Sequence, residues 1–359
     1  MPIDRIQMIS FRNHKKTNMD FGLGVNVIWG ENGSGKTAVL EAIYLLSIGK
    51  SFRTSKIHET INYDHETFWV EGAFSSSEKK EKISFSQAKD RRRKLKINNN
   101  DAGLKDLVGK NPAVLLSPEE QTITKGSPGE RRRYFDKIFS TVSKDYFKNL
   151  SHYTKTLKQR NALLKNIHRE SSFDIWDEAL VEHGTKIWDE KESLNKKFKQ
   201  CLETVCKMYN QEAINVELET GRSNPGKQQF LKELQSALPK DKIICRTSVG
   251  PHRDITNFLF NGKSLREFGS QGEHKISLIL LKLAEYVFIK EETGKPPTLL
   301  LDDLFAKLDF ERSDAVFKLL EKNTQTIITN TDLVDIKNHG IDLDDPNNRS
   351  FHLKRQCSN

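Results

Sequence analysis

Short apolar runs separated by glycine-containing turns mark the beginning of the chain. Residues 25–29 are apolar and rich in β-branched side chains, which predicts a buried strand. A glycine-rich turn comes next, and the apolar run 38–46 predicts a helix that ends near Gly49. A strand, a glycine loop and a helix in this order are typical of the first part of a nucleotide-binding α/β unit.

The rest of the chain divides into a strand-rich part, a helical part and a mixed part. The predicted strands before residue 120 are 67–74, 82–86, 94–97 and 113–116. Residues 128–210 are predicted to be mostly helical, because large apolar side chains recur there at helical spacing: Trp176, Leu180, Ile187, Leu194, Phe198, Leu202 and Val205. The later predictions are loops at 221–226 and 238–240, strands from about Ile243, a helix over 272–290, and buried strands at 298–301 and 325–329.

Composition and charge narrow the class of protein. The 359 residues are 36% hydrophobic and 30% charged, with a mean hydropathy of −0.64, as expected of a soluble globular chain. The sequence has neither a signal peptide nor a run of about 18 apolar residues, so we expect no membrane contact and a cytoplasmic location. The net charge of +9 favours a polyanionic partner. None of the four cysteines forms a C-x-x-C pair, so structural zinc is not expected.

The glycine-rich turn fits the phosphate-loop pattern G-x-x-x-x-G-K-[ST]. Its residues are Gly30, Glu31, Asn32, Gly33, Ser34, Gly35, Lys36 and Thr37. Glycines let backbone N–H groups turn toward phosphates without a Cβ clash, and the helix that follows adds its positive end. Lys36 is therefore predicted to reach the β- and γ-phosphates of ATP, and the Thr37 hydroxyl to bind Mg²⁺. The pattern indicates a nucleoside triphosphate and leaves its use open.

Two acidic residues end the predicted strand 298–301. We expect Asp302 to lie at the Mg²⁺ ion, usually through a water molecule, and Asp303 to orient or deprotonate the attacking water. Asp309 follows six residues later and is a further candidate for contact with the nucleotide. Without the phosphate loop, Asp302 and Asp303 would equally suit the cap of a turn or of the next helix.

The segment Gly269-Ser270-Gln271-Gly272-Glu273 opens the predicted helix 272–290. Ser270 and Glu273 have the S-x-x-E spacing of a capping box, which an ordinary helix start also has. Between a phosphate loop and an acidic strand, however, an S-x-G sequence resembles the signature motif of ABC-type ATPases. In that class Ser270 and Gly272 would face the γ-phosphate held by a second subunit, so that ATP joins a dimer.

Several further strings resemble the RecF family, within the SMC class of ABC ATPases. The most specific are SPGERRRYFD at 127–136 and GPHRD at 250–254. The likeness is extended by Phe11-Arg12-Asn13-His14, Ser51-Phe52-Arg53-Thr54, Ser117-Pro118-Glu119 and Leu301-Asp302-Asp303-Leu304-Phe305. It covers roughly residues 3–335 and is weak over 160–240 and after 340.

The resemblance implies an α/β fold of the ABC-type ATPase head, with a mixed sheet, an inserted and mainly helical second lobe, and no long coiled coil. The expected bounds are 1–116 and 296–359 for the ATPase lobe, and 117–295 for the lobe that carries the signature motif. The resemblance also implies weak, DNA-stimulated ATP hydrolysis and an ATP-dependent homodimer. Family members act on single-stranded, gapped and junction DNA, and with RecO and RecR they assist RecA loading and SOS induction.

Four positions depart from the patterns of the ABC class and the family. Gly269 and Glu273 stand where Leu and Gln are usual, and Glu273 adds a carboxylate near the expected phosphate. Asp303 replaces the Glu of transporters and is one methylene shorter, so slow turnover is expected. Lys307 stands where the family has an acidic residue, and its effect on dimer closure stays open, as do those of Gly269 and Glu273.

Two basic clusters are candidates for DNA contact. The first contains Lys89, Arg91, Arg92, Arg93, Lys94 and Lys96. Strand alternation would turn Leu95 and Ile97 inward there and the lysines outward, toward phosphates. The second cluster is Arg131, Arg132 and Arg133, in a helix that Ser127 opens. Successive helical side chains point about 100° apart, so we expect one arginine to pair within its lobe. His252 and Arg253 receive no role.

Three other functions fit the phosphate loop. A transporter ATPase subunit is disfavoured because no His follows Ile328 and no Gln follows Leu116 directly. A nuclease-associated SMC head would need a coiled-coil arm and a zinc motif, which the sequence lacks. A nucleotide-binding interaction protein without hydrolysis stays open, and Asp303 decides between it and an ATPase.

Overall fold

The computed structural model describes residues 1–76, 79–165, 172–209, 214–303, 324–333 and 341–355. The chain forms two compact units. Unit 1 contains Met1–Gln121 and Leu281–Asn359, and unit 2 contains Thr122–Leu280. The domain bounds expected from the sequence, 1–116, 117–295 and 296–359, remain a prediction.

Unit 1 contains an antiparallel and a parallel sheet. The antiparallel strands are β1 (Ile3–Phe11), β2 (His14–Asp20), β4 (Thr67–Ser75), β5 (Lys80–Ala88), β6 (Arg93–Ile97) and β7 (Asn100–Asp101), in the order β2-β1-β4-β5-β6-β7. The parallel strands are β3 (Val25–Trp29), β8 (Ala113–Leu116), β12 (Thr298–Leu301), β13 (Thr326–Asn330) and β14 (Arg349–His352), in the order β14-β3-β13-β12-β8. The parallel strands β8, β12 and β13 are buried at every position, as expected when both faces of a sheet are covered.

Helix α1 (Lys36–Ile48) lies in the core of unit 1 and is buried on nearly all sides. The same core contains inward side chains of the antiparallel sheet, such as Phe68 and Phe85, and of the parallel sheet, such as Ile28 and Leu300. The helix ends at Gly49, whose left-handed backbone returns an N–H to the Leu45 carbonyl at 2.8 Å. Burial of α1 fixes the position of the phosphate loop that precedes it.

Unit 2 is mainly helical. Its elements are α2 (Thr122–Lys125), α3 (Pro128–Val142), α4 (Lys144–Lys165), α5 (Asp174–Tyr209), α6 (Lys227–Ile244) and α7 (Leu265–Phe268), with a small antiparallel sheet of β9 (Val216–Thr220), β10 (Thr256–Phe260) and β11 (Lys263–Ser264). Helix α8 (Gln271–Thr293) begins in unit 2 and ends in unit 1. Within the described ranges, none of the helices combines the length and the apolar character needed to cross a membrane.

A buried ionic network joins three helices of unit 2. The guanidinium of Arg160 on α4 donates to Asp177 on α5 at 2.7 Å, and to Asp241 on α6 at 2.8 Å. It also donates to the Thr247 hydroxyl at 2.9 Å. Arg160 and Asp241 have no exposed surface, so each charge depends on the other for compensation.

Most of the predicted elements are present, including the apolar stripe on α5, where all members but the partly buried Trp176 are buried. The loop expected at 238–240 and the strand expected near Ile243 were wrong, because both lie in α6. Pro239 costs this helix a backbone hydrogen bond. Its last turn is held by Asp241, which binds Arg160 and also accepts the Ser248 N–H at 2.9 Å. Ile243 lies near the end of α6 and is mostly exposed, so its β-branched side chain is not part of a buried strand.

Candidate nucleotide site and the residues around it

Three neighbouring parallel strands of unit 1 end at the same edge of their sheet. The phosphate loop follows β3, Asp302 and Asp303 follow β12, and β13, which contains Thr329, lies between these two strands. Ligands of open α/β sheets bind at this edge. The topology therefore brings together residues that are far apart in the sequence.

Asp302 accepts hydrogen bonds from two hydroxyl groups at this edge. Its Oδ1 lies 2.9 Å from the Thr37 hydroxyl and 2.8 Å from the Thr329 hydroxyl. The Asp303 N–H donates to the Thr329 hydroxyl at 2.9 Å. The pKa of Asp302 is raised to about 6, mainly by burial and to a smaller extent by the nearby charges of Asp303 and Glu119, against the hydrogen bonds from the two threonines. A bound cation would favour the charged carboxylate at this position, as expected of a metal ligand.

The phosphate loop has the backbone and the polar groups that a phosphate needs. Gly35 has a φ of +102°, and a Cβ on it would lie 2.5 Å from the His14 ring nitrogen, so only glycine fits. The Lys36 ammonium is buried and donates to the Gly30 and Glu31 carbonyls at 2.7 and 3.1 Å. The buried Ser34 hydroxyl finds no hydrogen-bond partner in the described part of the chain. An unpaired buried donor beside a lysine fits a site for an anionic ligand.

Two residues that the sequence analysis left without a role support this loop from outside. The Asn13 side chain donates to the Gly33 carbonyl at 3.1 Å, and Nε2 of His14 lies 3.0 Å from the Gly35 carbonyl. Because a carbonyl only accepts, Nε2 must carry the proton, and Nδ1 accepts from the Thr17 hydroxyl at 2.9 Å. Burial lowers the pKa of His14 and so favours this neutral form. No spacing rule marks these contacts, although Asn13 and His14 belong to a string that resembles the RecF family.

A buried carboxylate on α1 ties together the segments around the loop. Glu41 is fully buried and receives both Nε and Nη2 of Arg12, at 2.8 and 2.6 Å. The Ser51 hydroxyl donates to the same carboxylate. A paired guanidinium and carboxylate with two hydrogen bonds fixes orientation as well as charge. Arg12 and Ser51 therefore hold their segments against α1.

The signature-like residues Ser270 and Gly272 lie in unit 2, at the start of α8. The predicted capping box is present, since the Ser270 N–H donates to Glu273 at 2.6 Å and the Glu273 N–H donates to the Ser270 hydroxyl at 3.2 Å. The hydrogen bonds from Ser270 lower the pKa of Glu273, which keeps its carboxylate charged. Asp309, predicted to contact the nucleotide, and Lys307 lie outside the described residues. The structure thus brings Lys36, Thr37, Asp302 and Asp303 together in unit 1.

The sequence matches the family described as RecF/RecN/SMC N terminal domain over residues 2–338. A DNA replication and repair protein RecF from Acetivibrio thermocellus is 36% identical, and the alignment covers 96% of this chain and 97% of that protein. The DNA replication and repair protein RecF of Clostridioides difficile is 34% identical, and the alignment covers 99% of this chain and 97% of that protein. The chain belongs to the RecF family.

Solved structures agree with this assignment to the RecF family. The recombination mediator protein RecF with ATP, from the RecFOR pathway, matches with a TM-score of 0.86 and 34% identity, over 93% of this chain and 92% of that one. An SMC head bound to the C-winged helix domain of ScpA is 18% identical, with a TM-score of 0.52 over 94% of this chain and 91% of that one. The second likeness concerns the fold alone. The fold is the α/β fold of an ABC-type ATPase head.

The arginine string typical of the RecF family has one buried member, Arg131, one partly buried member, Arg132, and one exposed member, Arg133. Arg131 donates to the Gly126 carbonyl at 2.9 Å, and Arg132 donates to the Asp254 carbonyl at 2.7 Å. Arg133 remains mostly exposed and pairs with Glu130 at 3.1 Å. The prediction that one of the three pairs inside its lobe is confirmed, and a second does so as well.

His252, in the second RecF-family string, has a structural environment. Its Nε2 lies 3.1 Å from the Thr247 carbonyl and its Nδ1 lies 2.7 Å from the Tyr153 hydroxyl. The carbonyl requires a proton on Nε2, so Nδ1 accepts from Tyr153. Burial lowers the pKa of His252 to about 4, and the positive charges of Arg253 and Arg132 act in the same direction. His252 is therefore neutral at physiological pH.

The first basic cluster lies in the hairpin of β5 and β6 and follows the predicted alternation in part. Leu95 is buried and Lys94 exposed, as predicted, whereas Lys96 and Ile97 are both partly buried. Two members of the cluster are paired, Lys89 with Glu66 at 2.7 Å and Arg92 with Asp90 at 2.6 Å. Arg91, Arg93, Lys94 and Lys96 make no ion pair within the ranges that the structure describes. These four cations are available to a polyanion.

Proposed function

We propose that this protein is an ATP-driven, DNA-binding ATPase of replication and repair, which dimerises around ATP. The observation that carries the proposal is the meeting of Lys36, Thr37 and Asp302 at one sheet edge, beside the unpaired Ser34 hydroxyl. The RecF relatives support the biological role, since they are DNA replication and repair proteins and one solved member contains ATP.

Each residue of the site has a proposed part in binding or hydrolysis. Lys36 and the backbone amides of 30–37 hold the phosphates, while Thr37 and Asp302 hold Mg²⁺. The Mg²⁺ ion supplies charge neutralisation at the β- and γ-phosphates. Asp303 orients the attacking water and accepts its proton. Asp309 keeps its proposed contact with the nucleotide as a prediction.

The second half of the site comes from another copy of the chain in this proposal. Ser270 and Gly272 at the start of α8 would face the γ-phosphate bound by the partner subunit. Support comes from the resemblance to the ABC signature motif and from the helix N-terminus, whose amides and dipole favour an anion. The charged Glu273 now accepts the Ser270 N–H, so it competes with a phosphate for that donor. We therefore expect a weak and readily reversible dimer.

DNA is the proposed macromolecular partner. The hairpin cations Arg91, Arg93, Lys94 and Lys96 suit the phosphate backbone, which positions a protein without reading sequence. Binding to single-stranded, gapped or junction DNA, weak DNA-stimulated turnover, and action with RecO and RecR in RecA loading and SOS induction follow from the family resemblance. The protein would act in the cytoplasm, where its DNA is.

Static light scattering of the full chain tests the proposal. The mass should double with ATP and Mg²⁺ and stay monomeric with ADP. Lys36→Ala should remain monomeric with ATP, because the phosphates lose their cation. Lys50→Ala, an exposed lysine just beyond α1, is the matched control and should dimerise normally. Dimerisation of Lys36→Ala with ATP would exclude this site, and a monomer under all conditions would exclude ATP-dependent dimerisation.

A titration with gapped DNA tests the hairpin separately. Arg93→Glu combined with Lys94→Glu should weaken DNA binding at least tenfold. The slope of log affinity against log salt concentration should decrease by the amount expected for the loss of about two phosphate contacts. Lys50→Glu, which changes charge elsewhere on the surface, should have a smaller effect. Equal losses in the two proteins would mean that net charge, and not the hairpin, governs binding.

A further inference from the structure

A cleft of about 770 Å³ in unit 2 has no part in the proposed ATPase. It lies between the middle of α5 and the loop 221–226 that follows β9. Its buried lining residues, here called the floor, are Trp188, Lys191, Asn195, Asp254 and Thr256. Clefts of about 300–1,000 Å³ are typical of sites that enclose a small molecule. All of the lining residues belong to unit 2, so the cleft is a feature of this unit by itself.

The walls of the cleft are held by contacts within unit 2. The Asn224 side chain donates to the carboxylate of Asp189 on α5 at 2.6 Å. Arg222 donates to Glu233 on α6 at 2.6 Å, and its guanidinium lies over the Trp188 ring, 5.3 Å from the centroid. The loop after β9 is thereby fixed to α5 and α6, so a ligand would meet a preformed site that needs little ordering.

An ion pair between Lys191 and Asp254 lies in the floor of the cleft. The Lys191 ammonium donates to Asp254 at 3.2 Å, and the same carboxylate accepts the Trp188 indole N–H at 3.0 Å. Asp254 is the last residue of the GPHRD string, and its backbone carbonyl accepts from Arg132 of the arginine string. The two strings most specific to the family resemblance therefore meet behind this floor.

Three side chains of the floor have polar groups that the protein does not use. An ammonium has three N–H donors, and Lys191, which is 7% exposed, makes one hydrogen bond within the described ranges. Asn195 lies one turn further along the same face of α5 and is 9% exposed, and Thr256 is 3% exposed. Neither the Asn195 amide nor the Thr256 hydroxyl has a hydrogen-bond partner in the part of the chain that the structure describes. Buried polar groups are as a rule hydrogen-bonded, so these donors indicate a ligand with acceptor atoms.

We propose that this cleft binds the phosphate group of a small phosphorylated molecule through Lys191, Asn195 and Thr256. A phosphate monoester has three terminal oxygens that accept hydrogen bonds strongly, and the three side chains supply donors for them. Hydrogen bonds with an ionised partner are shorter and stronger than neutral ones. Asp254 leaves the ammonium two further N–H groups, and its own carboxylate already accepts from Trp188 and Lys191.

The charges along the cleft disfavour a nucleic-acid strand as the ligand. Its exposed and partly buried cations are Lys196, Lys199 and Arg222. The exposed carboxylates of Glu192 and Glu203 line it as well. A nucleic-acid backbone carries a closely spaced row of negative charges and would meet both signs here, whereas a single phosphate group needs only the donors of the floor. An apolar ligand is disfavoured too, because it would leave those donors buried and unpaired.

Isothermal titration calorimetry of the full chain with inorganic phosphate and with glycerol 3-phosphate tests the proposal, and glycerol is the probe without a phosphate. Every protein in this experiment carries Lys36→Ala, which removes the cation of the phosphate loop. Asn195→Leu combined with Thr256→Val keeps the size of both side chains and removes their donors. Binding of both phosphates should weaken by about 10- to 100-fold, as expected for lost hydrogen bonds to a charged group. Gln228→Leu, which replaces an exposed amide on α6, is the control and should bind like the Lys36→Ala parent.

Urea denaturation of the same proteins separates a ligand site from a structural role. Asn195→Leu with Thr256→Val should be at least as stable as the parent, because neither replaced group makes a hydrogen bond within the described part of unit 2. Lys191 is left in place, since its removal would leave Asp254 buried without its counter-charge. A lower free energy of unfolding in the double variant would show that the two groups serve the fold, and would overturn the site.

Three results of the titrations would also overturn the phosphate site. They are a parent that binds neither phosphate, a parent that binds glycerol as well as glycerol 3-phosphate, and equal phosphate binding by the parent and the double variant. None of them affects the ATP site of unit 1, because Lys36→Ala takes that site out of the experiment and light scattering tests it separately.

Discussion

The Thr37 hydroxyl donates a 2.9 Å hydrogen bond to Oδ1 of Asp302, although 265 positions separate the two residues in the sequence. Thr37 lies in the first turn of α1, and Asp302 follows strand β12. Their contact places a hydroxyl oxygen and a carboxylate oxygen side by side, and both are types of ligand that a hard cation prefers. Thr37 and Asp302 are the residues that would hold a Mg²⁺ ion here, and the ion would neutralise charge on the bound phosphates.

Thr37→Val removes the hydroxyl and keeps the shape of the side chain. We expect ATP affinity in the presence of Mg²⁺ to fall by about 10- to 100-fold, as is typical when a group that supports a metal is lost. In EDTA the variant and the wild type should bind ATP equally, because no metal is then held. Thr37→Ser retains the hydroxyl and is the control. An equal loss with and without Mg²⁺ would show that Thr37 acts on the loop and not on the metal.

Asp303→Asn should separate ATP binding from hydrolysis. Asp303 lines the nucleotide cleft beside Asp302, and the amide cannot accept a proton from water. We expect turnover to fall at least 100-fold while ATP affinity is retained, which would trap an ATP-bound dimer on DNA. Light scattering with gapped DNA and a phosphate-release assay measure the two effects. Unchanged turnover would place the base elsewhere, and an inactive wild type would favour a nucleotide-binding protein without hydrolysis.

The half of the site that belongs to the parallel sheet could be predicted from the sequence. Fully buried parallel strands read as continuous apolar runs, and their carboxyl ends meet at one edge. The runs at 25–29 and 298–301 therefore indicated that Thr37 and Asp302 would meet at one Mg²⁺ site. The helix of the phosphate loop begins at Lys36, two residues before the predicted apolar run, because polar residues of its first turn serve the ligand.

The supporting contacts could not be predicted, because each depends on a fold-specific approach of distant segments. Asn13 and His14 reach the carbonyls of Gly33 and Gly35 only because strands β1 and β2 turn beside the phosphate loop. Similarly, Pro239 predicts a loop from the local sequence, but the ion pair of Asp241 with the distant Arg160 stabilises the helix around it. Predictions from local propensity fail for such segments, because tertiary contacts outweigh the propensity.

His252 should make the stability of the protein depend on pH. Its pKa is about 4 in the folded protein and near 6.5 without burial. Between these values the unfolded chain binds a proton that the folded chain excludes, so the contribution of His252 to stability is complete above about pH 6.5 and falls as the pH decreases toward 4. At pH 5 the expected loss relative to pH 7.5 is on the order of 2 kcal/mol.

Comparison with His252→Asn isolates this effect from other titrating groups. The variant should be less stable than the wild type at pH 7.5, because it loses the fitted contacts with Tyr153 and Thr247. The difference should shrink by about 2 kcal/mol at pH 5, where only the wild type carries the proton penalty. Buried carboxyl groups with a raised pKa, such as those of Asp136 and Asp254, alter the free energy of unfolding of both proteins by the same amount between the two pH values. Urea titrations at the two pH values measure the difference, and a constant gap would contradict the assignment.

Arg160→Leu should destabilise unit 2 strongly, because it leaves Asp177 and Asp241 buried without a counter-charge. Removal of one partner from a buried ion pair costs about 3–5 kcal/mol, whereas an exposed pair is worth about 0–1 kcal/mol. Lys186→Ala, which breaks the exposed pair with Glu182 on α5, is the control. Urea denaturation, followed by tryptophan fluorescence, measures the free energy of unfolding of both variants. Combining Arg160→Leu with Asp177→Asn and Asp241→Asn should restore part of the loss, since the uncompensated charges are then gone. A triple variant no more stable than Arg160→Leu would mean that packing around the guanidinium stem, and not charge, holds α4, α5 and α6 together.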